Sequence, residues 1–143
     1  MGILSQRPLA QAGAIPFRDQ GPEREFCLIT SARRGRWGFP KGIIEPHQTP
    51  IDAALQEAEE EAGVRGHIVE PVVGHYDYEK WHQTLRVQVF LLRVTETLRN
   101  WPEMSMRERR WCTGDEVLQL VDKPALLDIF SAALSRLEDA ADL

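Results

Sequence analysis

The apolar pattern of the chain changes period three times, from strand to helix to strand to helix, and each change predicts a boundary. Leu9 to Phe17 mixes Ala, Ile and Phe among small residues and predicts a strand. Asp19-Gln20-Gly21-Pro22 is a turn signal, and Glu25 to Thr30 predicts a second strand, so the two should form a hairpin. Ser31 to Pro46 is rich in Gly, Pro and Arg and predicts a long ordered loop with a short strand around Trp37–Phe39. At residue 49 the period becomes helical. Thr49 is an N-cap type, Pro50 suits the first helical position, and Asp52 suits the first turn. The helix should run to Ala62, with Gly63 ending it in a left-handed conformation. Ile51, Ala54, Leu55, Ala58 and Ala62 form its apolar stripe.

Beyond this helix, His67–Tyr78 and Thr84–Val94 are rich in Val and aromatic residues and predict two strands joined by a turn over Glu79-Lys80-Trp81-His82. Asn100–Met106 reads as a loop, Arg109–Cys112 as a short strand, Asp115–Leu120 as a short helix and Pro124–Leu137 as a final amphipathic helix. Residues 1–7 read as a loose start and the last six as a fraying end. Strands before, between and after isolated helices predict an α/β fold of the α+β type in one domain spanning residues 1–143, with its core over about 9–137.

Composition narrows the class. At 43% hydrophobic residues the chain can build a core, and its net charge of −5 argues against nucleic-acid binding through a basic surface. Cys27 and Cys112 are too few and too far apart for a disulfide framework or a CxxC metal pair. The N-terminus lacks a secretory pattern and no apolar run could cross a bilayer, so a cytoplasmic protein without a membrane partner is expected.

Charge along the chain is uneven. On a helix, Glu57, Glu60 and Glu61 fall on one flank, away from the apolar stripe, while Glu59 projects to the other. Like charges at these spacings repel by roughly 0.2–0.5 kcal/mol per pair, which solvent tolerates and a hard cation would reverse. The triplet alone therefore fits a solvated acidic face as well as a metal site. The preceding loop carries Arg33, Arg34, Arg36 and Lys41 with no acid among them. A basic loop beside an acidic helix face suits a metal-bound polyphosphate, because Mg²⁺ takes a few carboxylates plus substrate phosphates while Arg and Lys hold the other oxygens. Trp37, Trp81, Trp101 and Trp111 are core candidates that could also stack on a base. Ser31 has no His–Asp arrangement around it that would make it a nucleophile.

The stretch Gly42-(x5)-Gln48-(x7)-Gln56-Glu57-Ala58-Glu59-Glu60-Glu61-Ala62-Gly63-Val64 resembles the Nudix box, G-x5-E-x7-R-E-U-x-E-E-x-G-U, with U apolar. Gly42, Glu57, Glu60, Glu61, Gly63 and Val64 match by identity, and Ala58 by type. Gln48 stands where Glu is usual, and Gln56 where Arg is usual. Phe17-Arg18, Ser31-Ala32-Arg33, Arg36 to Gly42, His82, Val94-Thr95-Glu96, Trp101 and Arg107 to Trp111 are similar to the subgroup that hydrolyses diphosphoinositol and diadenosine polyphosphates.

The resemblance implies a mixed sheet sandwiched between helices. It also implies Mg²⁺-dependent hydrolysis of a phosphoanhydride by a metal-activated water, with Mn²⁺ able to replace Mg²⁺. Glu57, Glu60 and Glu61 would be metal ligands and catalytic groups. Arg18, Ser31, Arg33, Arg36, Lys41, His82, Arg107 and Arg109 would bind a small-molecule polyphosphate. A proton acceptor outside the box has no assigned position. Gln48 and Gln56 keep a second reading open, a catalytically weak polyphosphate-binding regulatory module. A monomer or weak homodimer is expected.

Overall fold

A computed structural model describes residues 7–141. Strand β1 (Leu9–Gln20) turns back into β2 (Glu23–Thr30), followed by the short β3 (Trp37–Gly38) and β4 (Lys41–Ile43). Helix α1 (Pro50–Glu57) continues as a wider π turn over Ala58–Ala62. Strands β5 (Val64–Lys80), β6 (Gln83–Thr97) and β7 (Arg109–Cys112) follow, then helices α2 (Gly114–Leu120) and α3 (Pro124–Ala141). The seven strands form one sheet in the order β3-β2-β1-β6-β5, with β4 added to β1 and β7 to β2. Only the β1–β6 pairing among these is parallel, so the sheet is mixed.

Alternation along the strands gives the sheet two apolar faces. Ile15, Phe17, Phe26, Leu28, Val87, Val89 and Leu91 point to one face, which α2 and α3 cover with Val117, Phe130 and Ala133. Ala12, Ala14, Cys27, Ile29, Phe90 and Leu92 point to the other, under Ala53, Ala54, Ala58 and Ala62 of the α1 segment. Small residues on both sides bring that helix close to the sheet, over the central strand β1.

The order of elements follows the sequence reading, and the differences have local causes. The hairpin strands are longer because the β1–β2 loop is only Gly21-Pro22, with Gln20 paired to Glu23 and Gly21 at φ +62°. Strand β4 forms because Lys41, Gly42 and Ile43 pair with β1, a tertiary contact without a local signal. Helix α3 continues beyond Leu137 to Ala141, so residues 138–141 are helical rather than frayed. Residues 1–6 of the expected loose start, and 142–143 of the expected fraying end, lie outside the described residues. Among the described residues no helix is long and apolar enough to cross a membrane.

Candidate active site

The capping box at Thr49 starts α1 as the sequence predicts. The Thr49 hydroxyl accepts from the Asp52 N–H at 3.1 Å, and the Asp52 carboxylate accepts from the Thr49 N–H at 3.0 Å. The far end departs from a simple α-helix. Ala58–Ala62 is a π turn, a geometry found mostly as short insertions at functional sites. Gly63 then takes φ +65°, and a Cβ there would come within 2.8 Å of the Trp101 ring. Glu59 lies on the other flank, paired with Arg65 at 2.8 Å.

Glu57, Glu60 and Glu61 meet very different surroundings. Glu61 is buried. Its carboxylate accepts from the Lys41 N–H at 3.1 Å and lies 3.4 Å from the Arg107 guanidinium. Glu57 is half-buried against Gly42, where an added Cβ would fall 2.2 Å from its carboxyl carbon. Gly42 is therefore needed as a bare backbone on which the Glu57 carboxyl lies. Glu60 accepts from the Gln56 amide at 2.9 Å, and Gln56 in turn accepts from Gln48.

Acidic charge accumulates at this point. Burial, then Glu61 and Glu60, push the Glu57 carboxyl up to about 8. Burial also raises Glu61, against the opposing pull of Arg107 and the Lys41 N–H. A fourth acid, Glu103, adds to both. It reaches the site because its N–H donates to the Glu60 carbonyl at 3.0 Å, and its carboxylate grips Arg107 at 2.7 Å. Among the described residues no trio of His, Cys, Asp or Glu closes to metal-binding distance. Glu60 is drawn aside by Gln56 and Glu61 is held by Lys41 and Arg107. The donor set nonetheless fits a hard divalent cation: crowded carboxylates whose mutual repulsion a proton or a cation must relieve.

Glu61 also belongs to a cleft of about 250 Å³. Five cationic side chains line it, Arg34, Arg36, Lys41, Arg107 and Lys123, against two acids, Glu61 and Asp122. Trp37, Phe39 and Tyr76 supply its aromatic walls. Lys41 and Lys123 lie 5.0 and 5.2 Å from the centre of the Tyr78 ring. Burial, with Lys123, Lys80 and Arg107 nearby, lowers the Lys41 pKa, while Glu61 opposes the shift. Ser31 sits at the rim, where its hydroxyl accepts from the Arg36 N–H at 3.1 Å and closes the 31–36 turn. Arg107 is fixed from behind by the Thr30 carbonyl at 3.0 Å.

Of the residues expected to bind substrate, Ser31, Arg36, Lys41 and Arg107 line the cleft, and Arg18, Arg33, His82 and Arg109 do not. Arg18 pairs with Glu25 and covers Trp111, 3.8 Å from its ring centre. Arg33 is exposed on the loop, and its neighbour Arg34 takes the cleft position instead. His82 is exposed in the β5–β6 turn. Arg109 is a helix cap: its guanidinium donates to the carbonyls of Ala62 at 3.0 Å and Leu98 at 2.9 Å, and stacks 4.0 Å over Trp101. Trp101 itself donates to the Glu61 carbonyl at 3.0 Å. The sequence reading missed Glu103, Lys123 and Tyr76. For Tyr76 the strand alternation was a usable signal; for Glu103 and Lys123 only the fold brings them in.

Residues 7–133 match the NUDIX domain family. The chain belongs to the Nudix hydrolase family. It is 35% identical over 130 residues to Nudix hydrolase 12, mitochondrial, of Arabidopsis thaliana, covering 76% of this chain and 64% of that protein. It is 33% identical over 115 residues to diphosphoinositol polyphosphate phosphohydrolase 3-alpha of Mus musculus, covering 78% of this chain and 68% of that protein. The match thus spans about two thirds of the length of these relatives. Among solved structures, a binary complex of the C. elegans Ap4A hydrolase superposes with a TM-score of 0.80 at 21% identity, covering 92% of this chain and 98% of that one, a likeness of fold. Within this Nudix chain the box segment supplies Gly42 and the three glutamates, and the loops on either side supply the cations.

Proposed function

We propose that the chain hydrolyses a phosphoanhydride in a highly phosphorylated small molecule, a diadenosine polyphosphate or a diphosphoinositol polyphosphate. One observation carries this reading: Glu61 belongs both to the crowded carboxylates and to a cleft with five cations. A chain of phosphates in that cleft would lie against Lys41, Arg36, Arg34 and Lys123, with its scissile end at Glu61. Mg²⁺ or Mn²⁺ held by Glu57, Glu60 and Glu61 would neutralise phosphate oxygens and supply an activated water.

The protein's own contributions are positioning and proton transfer. Arg107 is held by Glu103 and Thr30 and lies beside Glu61, so its remaining N–H groups would meet a phosphate from a fixed position. Glu57 and Glu61 would take up the proton of the attacking water, with Glu103 the acid outside the box beside them. Gln56 holds Glu60 by a hydrogen bond from a neutral donor, which keeps the orientation without a positive charge. That supports turnover over the alternative, a binding module with weak catalysis. The test is a substrate panel with and without Mg²⁺, products resolved by mass. Metal-dependent cleavage of the long polyphosphates is expected, and binding without turnover would support the alternative.

A further inference from the structure

The β5–β6 turn places a Trp in a geometry that bulky residues ordinarily avoid. Lys80 pairs with Gln83, so the loop is only Trp81 and His82. Both have left-handed backbone, with φ of 54° and 58°. This two-residue form strongly favours Asn-Gly, and bulky residues at positive φ are rare. Strained backbone of this kind clusters where function fixes it. Packing does not explain the choice, because Trp81 is 74% exposed.

The position of the turn relative to the cleft suggests a reason. Tyr76, Tyr78 and Lys80 alternate along β5 and share one face, which spans roughly 13 Å at ~3.3 Å per residue. Tyr76 lines the cleft, Lys41 and Lys123 lie against Tyr78, and Lys80 sits 4.3 Å from the centre of the Trp81 ring. A row of ammonium groups therefore leads outward from the carboxylates and ends at an exposed indole. That sequence of charges and ring matches an anionic chain that ends in an aromatic group.

We propose that Trp81 is a stacking platform for the distal nucleobase of a dinucleoside polyphosphate, whose phosphates run along Lys80, Lys123 and Lys41 to Glu61. The inference rests on the polyphosphate hydrolase reading and selects one substrate class within it. A nucleobase offers a flat π face to the indole. A phosphorylated inositol ring offers none, and its anionic groups are repelled by the negative face of the ring.

Trp81→Asn separates this role from a structural one, because Asn suits the left-handed turn better than Trp. The variant should melt at a higher temperature than the parent. Its kcat/KM ratio for diadenosine hexaphosphate over an inositol pyrophosphate should nevertheless fall by about fivefold or more, mainly through KM, as expected for loss of one base stack. Trp81→Phe, which keeps a π face, should retain most of the ratio. An unchanged ratio in Trp81→Asn, or an equal loss on both substrates, overturns the proposal. If the parent cleaves neither substrate, the hydrolase reading fails by itself. Indole fluorescence titrated with diadenosine hexaphosphate then decides the stack: quenching that is smaller in Trp81→Phe than in the parent supports it, and equal quenching in the two, including none in either, refutes it.

Discussion

Two positions of the box have a physical meaning that can be tested residue by residue. Gly42 gives up its side chain to the Glu57 carboxyl. Gly42→Ala should fold, because the clash is with the far end of a flexible side chain, yet it should displace Glu57. Turnover is expected to drop at least about tenfold, equivalent to ~1.4 kcal/mol, with melting little changed; unchanged turnover would mean the Glu57 position does not matter. Gln48 and Gln56 were legible only as departures from a pattern. The structure joins them into a relay, Gln48 to Gln56 to Glu60, with the Glu45 N–H donating to Gln48. Gln56→Arg alone leaves the Gln48 amide facing a donor, whereas Gln48→Glu with Gln56→Arg makes a charged pair and a charged bond to Glu60. The double variant should turn over faster than Gln56→Arg, by up to about tenfold from ~1–2 kcal/mol of charge assistance. Steady-state kinetics of the single and double variants checks the order, and a slower double variant would contradict it.

The elements were readable where one segment carries its own signal. The Thr49 cap, the alternation of the long strands and the acidic flank needed no partner to be recognised. What escaped is contact between segments distant in sequence. Asn100–Met106 reads as a plain connection, yet the segment from Leu98 onward docks on the end of the box helix through the Leu98 N–H to the Gly63 carbonyl and the Glu103 N–H to the Glu60 carbonyl. The π turn was equally hidden, since an i+5 bond leaves no apolar period. Arg107 and Arg109 look alike in sequence, as alternate residues around Glu108, but one faces the cleft and the other caps the helix. Arg109→Ala should therefore cost about 2–3 kcal/mol of stability by abandoning carbonyls under Trp101. Arg107→Ala, which also leaves Glu61 and Glu103 without their cation, should in addition raise KM for polyphosphates, which Arg109→Ala should leave unchanged. Denaturant melts paired with kinetics separate the two, and equal behaviour of both variants would contradict the assignment.

For the molecule as a whole, acidic overall charge conceals two local fields, a carboxylate cluster and a basic cleft that share Glu61. The cluster links stability to pH. Glu57 rises from an ordinary 4.5 to about 8 in the fold. Its proton is kept by the folded chain and lost by the unfolded chain between those values. The stability it contributes is complete below about 4.5 and is lost as pH rises through 8. Because Mg²⁺ competes with that proton, saturating Mg²⁺ should raise Tm more at pH 8 than at pH 6, and Glu57→Gln should erase the difference. An equal rise at both pH values would place the cation elsewhere. The basic cleft sets substrate length: substrates with four or more phosphates should exceed ATP in kcat/KM by at least about tenfold, which needs only ~1.4 kcal/mol. Metal-dependent attack by water at this site is measured most directly by hydrolysis of diadenosine hexaphosphate and of an inositol pyrophosphate in ¹⁸O-labelled water with Mg²⁺, using the parent and Glu61→Gln. Label is expected in a phosphate-bearing product from the parent, none without metal, and almost none from a stably folded Glu61→Gln. Labelled product formed equally by Glu61→Gln, or no cleavage of either substrate by the parent, would contradict that attack.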